Sequence, residues 1–233
     1  MSGDRALQRF RHLGERARSR VLEQARELDR TRSWEPLDGI TLTPAMRAAI
    51  AAPACVLTAE IGLGWYSDVS AILVEPVSTV RPTRRSLGGG IISEGSGRIH
   101  GQALVHGPVR LAWNEVIQDQ VAQTPRSVVI HEFAHKIDMS DGVVDGTPDI
   151  RTRSEADEFE RILDSTLHEL RDGHHLGPIR PYGATNRSEL FAVVTEAFFL
   201  AAGELSESNP DLYSVLARFY RQDPASSADR APD

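Results

Sequence analysis

Residues 128–142 read VVIHEFAHKIDMSDG, and the fold turns on whether this stretch is a helix. Three apolar residues lead in, His131 and His135 stand four apart, and an acidic, glycine-containing stretch follows. On a helix, residues four apart share one face, so both imidazoles project the same way, one turn apart. A single helix then offers a metal two ligands. H-E-x-x-H is a short pattern, and His and Glu at their frequency here would produce it by chance in about 2% of chains of this length. The flanking residues carry the decision. Val128, Val129, Ile130, Phe133, Ala134 and Ile137 make the segment apolar nearly all round, which marks a buried helix. Two histidines and a glutamate on such a helix need polar partners, and a metal supplies one. His131 and His135 are therefore read as ligands, with Glu132 as the general base acting on water. Lys136 is expected to carry its charge out to solvent.

A catalytic zinc takes three protein ligands and leaves a position for water. Asp141 stands six residues past His135, where a metzincin-like motif has a ligand. That motif needs a glycine at position 138, and the residue is Asp138. Asp138 is instead placed to accept the free N–H of a ligand histidine. The other source is YGATNRSELFAVVTEAFFLA (182–201), in which Glu189 and Glu196 lie seven apart and share a helix face. Glu189 follows Asn186 by three and can close a capping box; Glu196 can answer a buried arginine. A carboxylate among apolar residues is costly without a cation or donor, and a histidine–metal cluster accounts for both. Residue physics alone does not rank Glu189 above Glu196.

Outward from these motifs, 233 residues with 40% hydrophobic and 25% charged content suffice to bury one full core. One domain is expected over 1–223, with an N-terminal helix in 1–30, a helical zinc-binding part in 125–222 and a disordered tail at 224–233. A net charge of −7 argues against a general affinity for nucleic acid or anionic membranes. The N-terminus lacks the apolar stretch of a signal peptide, and no run is long enough to span a bilayer. The single cysteine, Cys55, cannot form an internal disulfide, so a cytoplasmic location is expected.

Residues 5–29 place Leu7, Phe10, Leu13, Val21, Ala25 and Leu28 at roughly helical spacing, as a surface helix packed by one stripe or a partner-binding arm. An Ala-rich helix is expected at 44–56. The segments 68–77, 91–99 and 101–113 read as three or four strands of one small mixed sheet. Between them VRPTRRSLGGG (80–90) is expected to be a mobile basic loop; it lacks the G-K-[ST] of a phosphate loop. Thr124-Pro125 signals a helix start, with the helix running to about Met139. The acidic loop that follows is no calcium loop, since Gly142 comes one place early and Asp149 stands where a bidentate Glu belongs. Further helices are expected at 151–171, from Asn186, and over 209–222. The fold class is α+β, predominantly helical with a small mixed sheet.

VVIHEFAHKID followed by DG…DG.P, Tyr182 spaced from Glu189 by Y-x6-E, and FAVVTEAFF form a more specific combination than H-E-x-x-H alone. With AEIGLGWYSDVSAILVEP, GPVRLAWNEVIQD and FYRQDP, they resemble the Mlc titration factor A family of bacterial zinc peptidases over most of residues 35–224. YGATNRSELF is also similar to the zinc site of the anthrax lethal factor catalytic domain. The resemblance implies a zincin-like metalloprotease core with one Zn2+ per chain, held by His131, His135 and Glu189. It implies Glu132 as base, Tyr182 as hydrogen-bond donor to the oxyanion and Glu196 in support. It further implies peptide hydrolysis and, as described for enteric members, binding to a glucose-responsive transcriptional repressor. The basic loop 80–90 and the N-terminal helix are the candidate recognition segments. The rival reading is a zinc-stabilised regulator-binding protein with vestigial hydrolysis; a zinc hydrolase of non-peptide substrates is a third.

Overall fold

Apolar residues at helical spacing dominate the chain, and helices dominate the fold. The computed structural model describes residues 6–78, 85–87, 91–93, 101–103, 107–122 and 124–228. In chain order the helices are α1 (Glu15–Thr31), α2 (Pro44–Thr58), α3 (Trp113–Val121), α4 (Val128–Asp138), α5 (Arg153–Arg171), α6 (Arg187–Leu200), α7 (Ala202–Ser208), α8 (Pro210–Tyr220) and α9 (Pro224–Ala228). The strands are β1 (Ser33–Pro36), β2 (Ala71–Glu75), β3 (Arg85–Leu87), β4 (Ile91–Ser93), β5 (Gly101–Ala103) and β6 (Val109–Ala112). This is the expected α+β class.

The expected single mixed sheet becomes two among the described residues. One has the order β1-β2-β6-β5, with β1, β2 and β6 parallel and β5 antiparallel to β6. The other is an antiparallel pair, in which Leu87 faces Ile91 and Arg85 faces Ser93. Arg85–Leu87 is thus a strand where a mobile loop is expected, because an antiparallel partner lies just beyond Gly88-Gly89-Gly90 in sequence. Arg81 and Arg84 lie outside the described residues, as does most of the loop. β1 has no apolar alternation to announce it; SWEP is a strand because its backbone pairs with β2, Ser33 to Ala71 through Pro36 to Val74.

α2, α4 and α6 form the buried centre. α2 is occluded from Ala49 to Thr58, where small side chains let its neighbours approach closely. α6 is buried all round from Leu190 to Phe199, with Thr195 and Glu196 as its polar residues in that stretch. The phenol of Tyr66 donates to the Ala54 carbonyl at 2.8 Å, and its ring meets Phe133 of α4 at 4.8 Å between centroids.

Three expectations need correction here. The run 5–29 is not one helix: Gly14, in extended conformation, starts α1 and separates it from the turns before it. Leu7, Phe10 and Leu13 are buried all the same, as are Val21, Ala25 and Leu28, so the whole stripe is spent on the core. Arg9 fastens the first part by donating to the carbonyls of Asp119, Thr124 and Arg126 at 2.5–2.9 Å. A surface arm free to bind a partner does not fit that packing. The helix expected to start at Thr124-Pro125 starts at Val128 instead, capped by Ser127. Finally, the tail expected to be disordered begins with α9, held at its start by Tyr213 Oη accepting from Ala225 N–H and Asp223 from Ser226 N–H. Residues 229–233 lie outside the described residues.

Candidate metal centre

α4 and α6 meet at the cluster. The head of α4 is fixed by three side chains, two of them carboxylates from other elements. Ser127 Oγ accepts from Ile130 N–H at 3.3 Å, Asp119 Oδ2 from Val128 N–H at 2.6 Å, and Glu196 Oε2 from Ser127 N–H at 2.6 Å. The helix starts where these acceptors stand, not at the Thr-Pro signal. α6 is capped by Asn186, whose side chain accepts from Glu189 N–H at 2.9 Å. Glu189 therefore has the expected capping position, with its carboxylate free to turn toward α4.

Among the described residues, His131, His135 and Glu189 form the one grouping of three that could hold a metal ion. His131 Nε2 lies 3.1 Å from Glu189 Oε2 and 3.2 Å from His135 Nε2, while His135 Nε2 is 3.6 Å from the same carboxylate oxygen. Ligand atoms at metal–ligand distances of about 2.0–2.1 Å in a tetrahedral site lie about 3.4 Å apart, so the triangle has the size a metal requires.

The outer ring nitrogens explain the chemistry. His131 Nδ1 is 2.9 Å from Glu196 Oε1. His135 Nδ1 is 3.1 Å from Ser188 Oγ, and Ser188 gives its own proton to Asp138 Oδ2 at 2.6 Å. A hydroxyl has one proton, so Ser188 must accept from His135 Nδ1–H, which leaves a lone pair on Nε2. Glu196 does the same for His131. Two imidazole lone pairs and a carboxylate then converge, and only a cation satisfies all three. Without a metal a proton fills this need: burial alone would lower the His131 pKa, but hydrogen bonds to Glu189 and Glu196 carry it up to about 10. Glu189 moves down; burial opposes this, and hydrogen bonds to the two histidines overcome it. The residues present fit a metal.

Asp138 departs from expectation in one respect. It reaches His135 through Ser188, not directly, and its other oxygen accepts from Gly146 N–H at 2.7 Å. The carboxyl thereby links the DG.P loop to α6. Burial pushes its pKa up to about 6, against the hydrogen bond from Ser188. Glu196 meets both readings offered for it: it takes His131 Nδ1 and also answers an arginine, Arg180, whose Nη2 donates to Oε1 at 2.5 Å. Asp141 is not part of the cluster; it is exposed and accepts from Val143 N–H at 2.9 Å. Lys136 contradicts the expectation of an outward charge. It is 2% exposed, and its Nζ donates to the Gly107 carbonyl at 2.7 Å, because α4 is enclosed on that side by the segment entering β6. Burial lowers its pKa to about 8.

Glu132 is 3% exposed, and its Oε2 has no hydrogen-bond partner among the described residues. Burial raises its pKa, with His131 and His135 pulling the other way. Tyr182 is the most exposed of these groups at 48%; its ring centroid lies 6.0 Å from that of His131. Burial of its hydroxyl and the nearby Glu189 push its pKa up to about 12, so the phenol keeps its proton at neutral pH. Ser188 and Arg180 were not singled out from sequence. A buried arginine as partner of Glu196 was the available signal, but nothing local identified which one.

The matches to known proteins follow this geometry. Residues 3–221 fit the family model described as glucose-regulated metallo-peptidase M90. The chain is 34% identical to Mlc titration factor A of Edwardsiella ictaluri over 91% of its length and 83% of that protein's. It is 35% identical to an uncharacterized protein of Synechocystis sp., over 78% of this chain and 68% of the relative. With Mlc titration factor A of Yersinia pestis it shares 32% identity, over 91% and 80% respectively. No helix among the described residues is long and apolar enough to cross a membrane. A match that runs over residues 3–221, nearly the whole chain, means that the chain belongs to the glucose-regulated metallo-peptidase M90 family.

Proposed function

We propose that the protein is a zinc-dependent peptidase, with His131, His135 and Glu189 as the metal ligands. The observation that carries this reading is Glu132: a buried carboxylate whose Oε2 has no hydrogen-bond partner among the described residues, next to the cluster of His131, His135 and Glu189. Holding a metal does not require it, and an unpaired buried carboxylate is costly to keep for packing alone. That weighs against a binding protein with vestigial hydrolysis. When bound, the zinc supplies Lewis-acid polarisation of the scissile carbonyl and acidifies water at its open position.

Glu132 takes a proton from the attacking water and returns it to the leaving amine. Its raised pKa brings it toward the range in which both transfers are efficient at neutral pH. Tyr182 keeps its proton and donates to the oxyanion that develops on the substrate; such donors are worth about 3–4 kcal/mol elsewhere. Glu196 and the Ser188–Asp138 pair hold the two imidazoles in the tautomer that binds metal. A second, regulatory role toward a transcriptional repressor has its support in the relatives' name, Mlc titration factor A, and in the sequence resemblance.

The test is metal analysis of the purified protein beside hydrolysis of a broad peptide library, with and without chelator. We expect about one zinc per chain and chelator-sensitive cleavage. Glu132→Gln is expected to keep zinc and to lose about 10²–10⁴-fold in rate, because the amide preserves shape but cannot accept the proton. A zinc-loaded wild type that cleaves nothing in the library would leave the regulator-binding role standing alone.

A further inference from the structure

Arg180 lies outside the HExxH…E pattern, yet its guanidinium reaches both Glu196 and the ring of Tyr182. Nη2 donates at 2.5 Å to Glu196 Oε1, the oxygen that also takes His131 Nδ1 at 2.9 Å. The guanidinium carbon stands 6.0 Å from the centroid of the Tyr182 ring, at cation–π distance. The Glu196 side chain is fully buried, and its second oxygen accepts from Ser127 N–H at the head of α4. One carboxylate therefore joins the ligand histidine, the start of the helix that carries it, and the arginine.

Backbone geometry brings the arginine there. Arg180 precedes the 3-10 turn Pro181–Thr185, which carries Tyr182, and its carbonyl accepts from Gly183 N–H. A Cβ at Gly183 would come within 3.0 Å of the Leu190 side chain, so the turn is pressed against α6. Arg171 holds the far end through the carbonyls of Ala184 and Thr185. The turn has little room to shift.

We propose that Arg180 is a positioning residue of the metal centre. It supplies the counter-charge that orients Glu196, so that His131 keeps its proton on Nδ1 and presents Nε2 to the metal, and it braces the Tyr182 ring. The proposal rests on the metal-site reading above. A guanidinium suits the task because it is permanently charged and planar, able to hydrogen-bond a carboxylate with one edge and lie against a ring. A lysine ammonium could provide the charge and a hydrogen bond, but not the planar face that lies against the ring.

The experiment measures zinc affinity of the full chain by chelator competition for wild type, Arg180→Met, Arg180→Lys, Glu196→Gln and the Arg180→Met/Glu196→Gln double variant. Circular dichroism of the metal-free proteins checks the fold. Arg180→Met is expected to weaken zinc binding about 10–100-fold, the usual consequence of losing an outer support of a ligand. Arg180→Lys should recover part of that loss. The double variant should bind about as Glu196→Gln does, because the arginine acts through the carboxylate. Should Arg180→Met fail to fold, Arg180→Gln takes its place in the same cycle. Wild-type affinity in any folded variant lacking the charge, or fully additive losses, overturns the proposal while the metal site stands. A wild type that binds no zinc removes the metal reading and this one with it.

Discussion

Ser188 shows how a single side chain outside the motif sets the chemistry of one within it. Its hydroxyl links His135 Nδ1 to Asp138, and its proton goes to the carboxylate. Removing the hydroxyl leaves both neighbours without that bond and frees the imidazole to rotate or change tautomer. Ser188→Ala is therefore expected to weaken zinc binding about 10-fold or more, with the fold intact, as measured by chelator competition. Asp138→Asn should have a similar effect, and the two should not add. His131, Glu132 and His135 were legible in sequence because their spacing on a helix fixes their relation whatever surrounds them. Glu189 was legible only as one of two carboxylates on a face. Choosing it by physics needed the observation that its oxygen meets both Nε2 atoms, while Glu196 meets Nδ1.

Among the elements, the loop after α4 has a role its composition conceals. DG..DG.P reads as an acidic turn-rich stretch, yet Gly146 N–H is one of the groups that hold Asp138. Gly146 has φ +84°, and a Cβ there would meet the Arg187 carbonyl oxygen at 2.5 Å. Both the left-handed backbone and the close approach to α6 require glycine. Gly146→Ala is expected to cost at least about 1–2 kcal/mol for the backbone alone, read as a lower melting temperature. It should also weaken zinc binding, since Asp138 shifts with the loop. The start of α4 carries the same lesson. Thr124-Pro125 is a sound local signal, but acceptors from α3 and α6 hold the N–H groups of Ser127 and Val128. Local propensity was overridden by partners that are 9 and 69 residues away in sequence.

For the whole molecule, the N-terminal segment decides between an appendage and part of the core. Leu7, Phe10 and Leu13 are buried, and Arg9 ties the segment to the chain just ahead of α4. Removing residues 1–13 is expected to destabilise the protein severely, since each large apolar side chain lost from a core costs about 2–5 kcal/mol. A truncated protein with unchanged melting temperature would restore the reading of a detachable arm. His12 adds a pH dependence. Packed near Phe10 and Phe199, with no hydrogen-bond partner for Nε2 among the described residues, it is held by burial at a pKa of about 4, below the ordinary 6.5. The unfolded chain takes up this proton first, so stability is lost as pH falls from about 6.5 to about 4 and is unaffected above that window. His12→Phe should flatten this part of the stability–pH profile, measured by thermal unfolding.

What the sequence determined by itself was much of the geometry within single elements. The apolar wrapping of residues 128–137 made a buried helix, and four-residue spacing put His131 and His135 on one face of it. Asn186 capped α6 as its position required, and the helical majority with a small sheet followed from periodicity. The tertiary structure alone decided which partners each of these groups found. It set Lys136 against Gly107, Ser188 between His135 and Asp138, Arg180 on Glu196 and SWEP beside β2. Periodicity states which face of an element is apolar and nothing about which distant element will cover it. Hydrogen-bond partners are chosen by that covering, and so the two histidines of the cluster could be read from the chain while the groups that aim them could not.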